Sequence, residues 1–263
     1  MSTARDFGTW GDVHVTIDDD YAALAEVRRP PDNFFDHALI ASLCEAFEAV
    51  EADPAGRSIV LASEGRHFCA GANFGSKTPA TEGPEGRHLY DEAVRLFETR
   101  IPVVAAIQGA AIGGGLGLAL MPDFRVACAE ARFSANFARL GFHQGFGLSV
   151  TLPRLIGPQA AAELLYTGRR VKGEEAHALG LCDRLVPIES LRDEATALAR
   201  EIAISAPLAV DSIRETLRGD LPAAIRAATN REKAEQDRLQ KTQDWREGVK
   251  AMGERRKPDF QGR

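Results

Sequence analysis

Runs of apolar residues broken by polar, turn-forming residues set out the first half of the chain. Val13-His14-Val15-Thr16-Ile17 and residues 22–27 read as short strands, and Asp18-Asp19-Asp20 between them supplies a turn, so a hairpin is predicted. Phe35, Leu39, Leu43, Phe47 and Val50 recur at spacings of three and four, which predicts an amphipathic helix that stops near Asp53-Pro54. Residues 58–62 follow as a buried strand. The polar segment 75–86, with its glycines and prolines, is a loop, and 88–100 is helical with Leu89, Val94, Leu96 and Phe97 as its apolar positions. A second buried strand, 103–107, runs into a glycine cluster. A helix through Leu120, a strand at 124–128 and an irregular stretch at 131–147, dense in Phe and Gly, come next.

From Pro158 onward the pattern is helical: 159–166, 173–179, 191–204, 207–217, and a polar helix from 221 to about 243. That last helix is charged on most faces, which suits packing on a neighbouring subunit or on the domain surface. Strands that alternate with helices imply an α/β fold of βαβ units, a parallel sheet covered by helices. Residues 101–121 are almost uncharged and long enough to span a bilayer. Pro102, Gln108 and the consecutive Gly113, Gly114 and Gly115 fit a strand, a turn and a helix better. No membrane segment is expected, and the first fifteen residues do not read as a secretory signal.

Composition narrows the partners. The 263 residues, 44% hydrophobic and 27% charged, can bury a sizeable core, and a net charge of -6 gives no footprint for nucleic acid. Any anionic ligand must therefore be held by a local site. Cys44, Cys69, Cys128 and Cys182 lie far apart without metal-ligand spacing, as expected of buried reduced thiols in the cytoplasm.

Two small-residue segments carry the candidate chemistry. Phe68-Cys69-Ala70-Gly71-Ala72-Asn73 follows the strand at 58–62, where an α/β sheet presents its ligand crevice. Gln108-Gly109-Ala110-Ala111-Ile112-Gly113-Gly114-Gly115-Leu116-Gly117 ends another strand and starts a helix, where backbone N–H groups have no intrahelical partner. One N–H from each segment can converge on a carbonyl oxygen and stabilise an oxyanion or enolate. Dinucleotide and P-loop glycine motifs are absent, and a glycine run taken alone also suits tight helix-to-strand packing.

Arg29-Pro30, Phe68 to Ala72, the Gly109 to Gly117 run, Asp123-Phe124-Arg125-Val126-Ala127 and Asp244-Trp245-Arg246-Glu247-Gly248, in this order, resemble the crotonase (enoyl-CoA hydratase/isomerase) superfamily. The resemblance implies a crotonase-like spiral of β-β-α repeats over 1–200 and a helical trimerisation region over 201–263, assembled as a homotrimer or a hexamer. It implies an acyl-CoA substrate, with coenzyme A as part of that substrate and no other cofactor. Matched position by position, the Ala72 and Gly114 amides are the oxyanion-hole donors, Ala70, Gly71 and Gly113 lie beside the bound thioester, and Arg255, Arg256 or Lys257 reaches the CoA phosphates.

The same matching exposes a departure. The two hydratase glutamates correspond to Gly117 and Phe137, neither of which transfers a proton, so two-glutamate hydration cannot be written. His143 and Gln144 occupy the segment where divergent members carry catalytic groups, and His143 is its strongest proton-transfer candidate. Gln144 resembles the position of an aspartate in naphthoate synthases. Gly145 and Tyr90 resemble the positions of the nucleophilic aspartate and the activating histidine in aromatic-CoA dehalogenases, and Glu92 is a further candidate. Phe137 with Phe74, Phe142 and Phe146 suggests a cyclic or aromatic acyl group. The leading expectation is an enoyl-CoA hydratase/isomerase-like lyase or isomerase. A hydrolase or C–C bond-cleaving relative, and a catalytically silent acyl-CoA-binding protein, are the alternatives.

Overall fold

A computed structural model describes residues 3–73 and 81–263. The expected hairpin forms from β2 (Val13–Asp18) and β3 (Ala22–Val27), and the Asp18 carboxylate closes its turn by accepting from the Asp20 and Ala22 amides. A further strand, β1 (Ala4–Trp10), pairs antiparallel on the outer side of β2. It went unseen because its edge position leaves most of its side chains exposed, so it carries no apolar alternation.

Beyond β3 the sheet turns parallel through β4 (Ser58–Ser63), β5 (Val103–Ile107), β7 (Phe124–Ala127) and the short β10 (Arg184–Leu185). The strand order is β1-β2-β3-β4-β5-β7-β10. Alternate residues of β4 and β5 enter different cores. Ile59, Leu61, Val103 and Ala105 pack with Leu39, Leu43 and Phe47 of α1 (His37–Ala52), whereas Val60, Ala62 and Val104 pack with Leu191, Ala195 and Leu198 of α6 (Leu191–Ala203). Cover on both faces explains why these strands read as continuous apolar runs.

A smaller sheet, β6-β8-β9, is built from β6 (Ala110–Ile112), β8 (Arg132–Ser134) and β9 (Val171–Lys172). The chain passes from β5 to β6 to α3 (Gly114–Leu120), then from β7 to β8 to α4 (Leu148–Thr167), and these are successive β-β-α turns of a spiral. α2 (Leu89–Glu98) and α5 (Gly173–Leu179) match their expected positions. α4 begins eleven residues before its expected start at 159, because Pro153 and a break at Gly157 (φ 77°) disguise its first half. No helix among the described residues is long and apolar enough to cross a membrane.

The C-terminal helices are α7 (Pro207–Arg218), α8 (Leu221–Leu239) and α9 (Gln243–Gly253). α8 lies on α2 and α4 of the same chain through Leu221, Ile225, Thr229, Glu232 and Gln236. Three of those five are polar, so the buried stripe was hidden within a helix that looked charged all round. α9 is a separate helix, started by Thr242, whose hydroxyl accepts from the Trp245 amide.

Asp123 ties the sheet to α7. Its carboxylate accepts from the Val103 amide at 2.9 Å, Arg214 at 2.9 Å and Arg218 at 3.1 Å, and burial pushes the Arg218 guanidinium down to about 10. Removing one partner of such a knot leaves buried charge unpaired. Asp123→Ala is therefore expected to lower the unfolding free energy by about 3–5 kcal/mol in denaturant titrations, whereas a loss below about 1 kcal/mol would show that the arginines find other partners.

Candidate active site

The two small-residue segments lie side by side because the chain after β4 is zipped onto β6. The Phe68 amide donates to the Gln108 carbonyl at 2.8 Å, Cys69 to Ala110 at 2.8 Å, and Ile112 back to Cys69 at 3.1 Å, which pairs Cys69 with Ala111 in parallel. Three residues further along each segment stand Ala72 and Gly114. Among the described residues neither amide donates a hydrogen bond, since Gly114 opens α3 and the first bonds of that turn come from Leu116 and Gly117 to the Gly113 carbonyl.

The approach tolerates no Cβ. One added at Gly114 would lie 2.1 Å from the Phe35 ring, and one at Gly115 would lie 2.3 Å from the Cys69 carbonyl oxygen. Gly71, at φ 91°, turns the first segment in a left-handed conformation directly against the Ile112 carbonyl.

Ala72 and Gly114 both line a cavity of about 910 Å³. Ala70, Gly71, Ala72, Gly113, Gly114 and Phe137 all line it, and so do Tyr90, Phe142 and Phe146. Phe74 lies outside the described residues. Lys257 sits on the exposed C-terminal segment away from the cavity, and Arg256 is engaged by Glu247 and Glu254. The cations that line the cavity are Arg132, Arg170, Arg246 and Lys250, none of which has an ion-pair partner among the described residues. His143 and Gln144 are half-buried behind the wall and do not line the cavity. The imidazole Nδ1 is 2.9 Å from the Gln144 carbonyl, and Gln144 donates to the Ser149 hydroxyl at 3.0 Å.

Aromatic rings make up much of the wall. Phe35 meets Phe146 edge-on at 5.9 Å, Phe137 meets Phe142 at 5.4 Å, and Phe142 meets Trp245 at 4.5 Å. They also fill the spaces that carboxylate side chains would need. A Cβ on Gly117 would lie 2.5 Å from that of Phe146, and a Cβ on Gly145 would lie 1.8 Å from the Tyr90 hydroxyl oxygen. No carboxylate lines the cavity among the described residues. Glu92 is buried elsewhere between Arg87 and Arg95.

Tyr90 lines the cavity but is committed to structure: its hydroxyl donates to Gln236 at 2.8 Å, and Gln236 donates to the His143 carbonyl at 2.9 Å. Burial, and after it the Glu232 charge, push the Tyr90 phenol up, so it keeps its proton at neutral pH. Glu232 is fully buried and accepts from the Gly147 and Ser149 amides, at 2.8 and 3.0 Å, and from the Ser149 hydroxyl, at 2.6 Å, capping α4. Neither Glu232 nor Gln236 was anticipated, because only the fold turns them inward from α8. His67, at the cavity edge, is held low by burial and then by Arg132 and Arg66, and its Nδ1 accepts from the Ala110 amide at 3.2 Å. It pins the zipped segments as a neutral imidazole.

Residues 20–263 match the enoyl-CoA hydratase/isomerase family. Among similar proteins, the crotonyl-CoA hydratase of Syntrophomonas wolfei is 34% identical over 243 residues, which is 90% of this chain and 94% of that protein. The (E)-benzylidenesuccinyl-CoA hydratase of Thauera aromatica is 34% identical over 248 residues, 92% of this chain and 96% of that protein. The crystal structure of an enoyl-CoA hydratase/isomerase from Pseudoalteromonas atlantica superposes with a TM-score of 0.86 over 95% of this chain and 100% of that one, at 26% identity. The spiral, the paired glycine-rich segments and these similarities lead to one conclusion: the chain belongs to the enoyl-CoA hydratase/isomerase family of the crotonase superfamily.

Proposed function

We propose that the chain processes an acyl-CoA thioester whose carbonyl oxygen sits between the Ala72 and Gly114 amides. The observation that carries this reading is the pair of undonated N–H groups on one cavity wall. Such donors, fixed before the reaction and shielded from water, stabilise the charge that develops on the oxygen as an enolate or tetrahedral oxyanion forms, and losing one costs about 10²–10³ in rate. Arg132, Arg170, Arg246 and Lys250 line the same cavity without ion-pair partners among the described residues, which supports a role for them in meeting the CoA phosphates. The rings of Phe35, Phe137, Phe142 and Trp245 suit a flat acyl group, in keeping with the aromatic thioester named for the relative from Thauera aromatica.

A second reading is an acyl-CoA-binding protein without turnover. It is favoured by one observation: the spaces beside Gly117 and Gly145 are taken by Phe146 and Tyr90, so the described cavity lacks a carboxylate base. Ultraviolet-monitored conversion of crotonyl-CoA and cinnamoyl-CoA separates the two. Loss of the conjugated absorbance supports the enzyme. Saturable binding of both thioesters with no loss supports the binder, and absence of binding sinks both.

Assembly is part of the proposal. α7 leaves Leu208 and Leu217 83% and 71% exposed, and Ile204 beside it 72% exposed, a face that supports a homotrimer or a hexamer formed through the C-terminal helices. Light scattering should give a mass three or six times the 28.4 kDa chain, and a monomer would contradict this. Replacing both Arg170 and Arg246 by alanine should raise the Kd of a CoA thioester by about tenfold, with a smaller effect at high salt, as titration calorimetry would measure. Because its imidazole is off the cavity, His143→Ala should leave turnover within a few-fold of the parent protein. A loss of about a hundredfold would instead make His143 the acid/base.

A further inference from the structure

We infer that Asn136 is a catalytic residue, a side-chain donor that joins the Ala72 and Gly114 amides at the thioester oxygen. The inference rests on the thioester site proposed above and adds a third group to it. Asn136 stands one residue beyond β8, after Ala135, and opens the 3₁₀ turn Asn136–Leu140. Its backbone is fixed from two sides. The Gly113 amide donates to the Ser134 carbonyl at 2.8 Å, which locks the end of β8 to the glycine segment, and a Cβ on Gly168 would lie only 3.2 Å from the Asn136 Cα.

The side chain of Asn136 reaches Gly113. Its Oδ1 is 3.3 Å from the point where a Cβ on Gly113 would stand, one residue before the Gly114 amide, and the residue lines the same cavity. A carboxamide offers two donors and an acceptor. Among the described residues it forms no hydrogen bond, and it does not cap its own turn, whose N-cap is Ala135 without a side-chain bond. A half-buried amide without a protein partner is satisfied by water or by ligand. With Oδ1 against Gly113, Nδ2 is the atom left to face the cavity, and a turn of the amide exchanges the two without moving anything else.

An oxyanion accepts more than two hydrogen bonds, and in a cavity walled by rings each added donor acts in a low dielectric. Asn136 also immediately precedes Phe137, the residue that removes a carboxylate from this wall. A neutral donor at 136 contributes what a carboxylate cannot, since a negative charge beside the developing oxyanion would oppose it.

The test uses the CoA thioester of 4-(dimethylamino)cinnamic acid, a push–pull chromophore that absorbs at longer wavelength as its carbonyl oxygen gains negative charge. The intact protein is expected to bind it with a red shift. Asn136→Ala and the shape-conserving Asn136→Asp should each shrink that shift, so a poorly folded alanine variant does not leave the matter open. The alanine variant should bind the probe within a few-fold of the parent. Where an enoyl-CoA is turned over, its kcat should fall by about 10²-fold with KM little changed. An undiminished shift in both variants would overturn the inference while the two-amide site stands. Weaker binding with an unchanged shift would also overturn it, making Asn136 a binding residue only. If the intact protein binds the probe without a shift, the proposed thioester site fails together with it.

Discussion

Everything at the site depends on how closely the segment after β4 can lie on the start of α3. The backbone bonds between Cys69, Ala110 and Ile112 draw two stretches together that are about forty residues apart in the chain. The missing side chains at Gly71, Gly114 and Gly115 let them touch, since even one methyl group would strike the Ile112 carbonyl, the Phe35 ring or the Cys69 carbonyl. The outcome is a pair of backbone donors that owe their direction to the fold rather than to a side-chain rotamer. Such donors need no reorganisation when charge appears, which is the property that makes preorganised sites effective.

Around this fixed pair much of the wall is made of rings. Phe146 fills the space beside Gly117, the Tyr90 hydroxyl fills the space beside Gly145, and Phe137 stands where the resemblance places a carboxylate. The first two are size-complementary pairs of a glycine with an aromatic, and with Phe137 they make this part of the wall apolar. Lower polarity strengthens the remaining hydrogen bonds to a bound oxygen, and it raises the cost of any ionised group placed there. Charge is kept to other places: the cavity-lining arginines, the buried Glu232 that caps α4, and the Asp123 knot that holds α7.

Most of the fold was legible because buried strands and helices carry strong apolar periods. Residues 58–62 and 103–107, α1 and the helices from α5 to α7 appear as read. What escaped has a physical reason in each case. β1 is an exposed edge, α4 is interrupted by Pro153 and Gly157, and the inner stripe of α8 is made of Thr229, whose hydroxyl bonds back to the Ile225 carbonyl, and of Glu232 and Gln236, which are satisfied by tertiary partners. At the site, the glycines announced themselves because close backbone approach leaves no substitute. His143 looked promising because an imidazole titrates near neutrality, but a sequence does not tell which way a loop side chain points. The resemblance points to Arg255, Arg256 or Lys257 for the CoA phosphates, and the fold adds Arg132, Arg170, Arg246 and Lys250, which reach one cavity from separate places in the chain. Asn136 gave no signal at all, being a lone amide in an irregular stretch.

The central claim is that the Ala72 and Gly114 amides jointly hold a thioester oxygen. A crystal structure of the protein with a slowly reacting acyl-CoA thioester tests it most directly. The account predicts the carbonyl oxygen within about 2.7–3.1 Å of both amide nitrogens, with the acyl group against Phe137 and Phe142. A thioester bound with its oxygen turned away from either amide, or held outside this cavity, would contradict it.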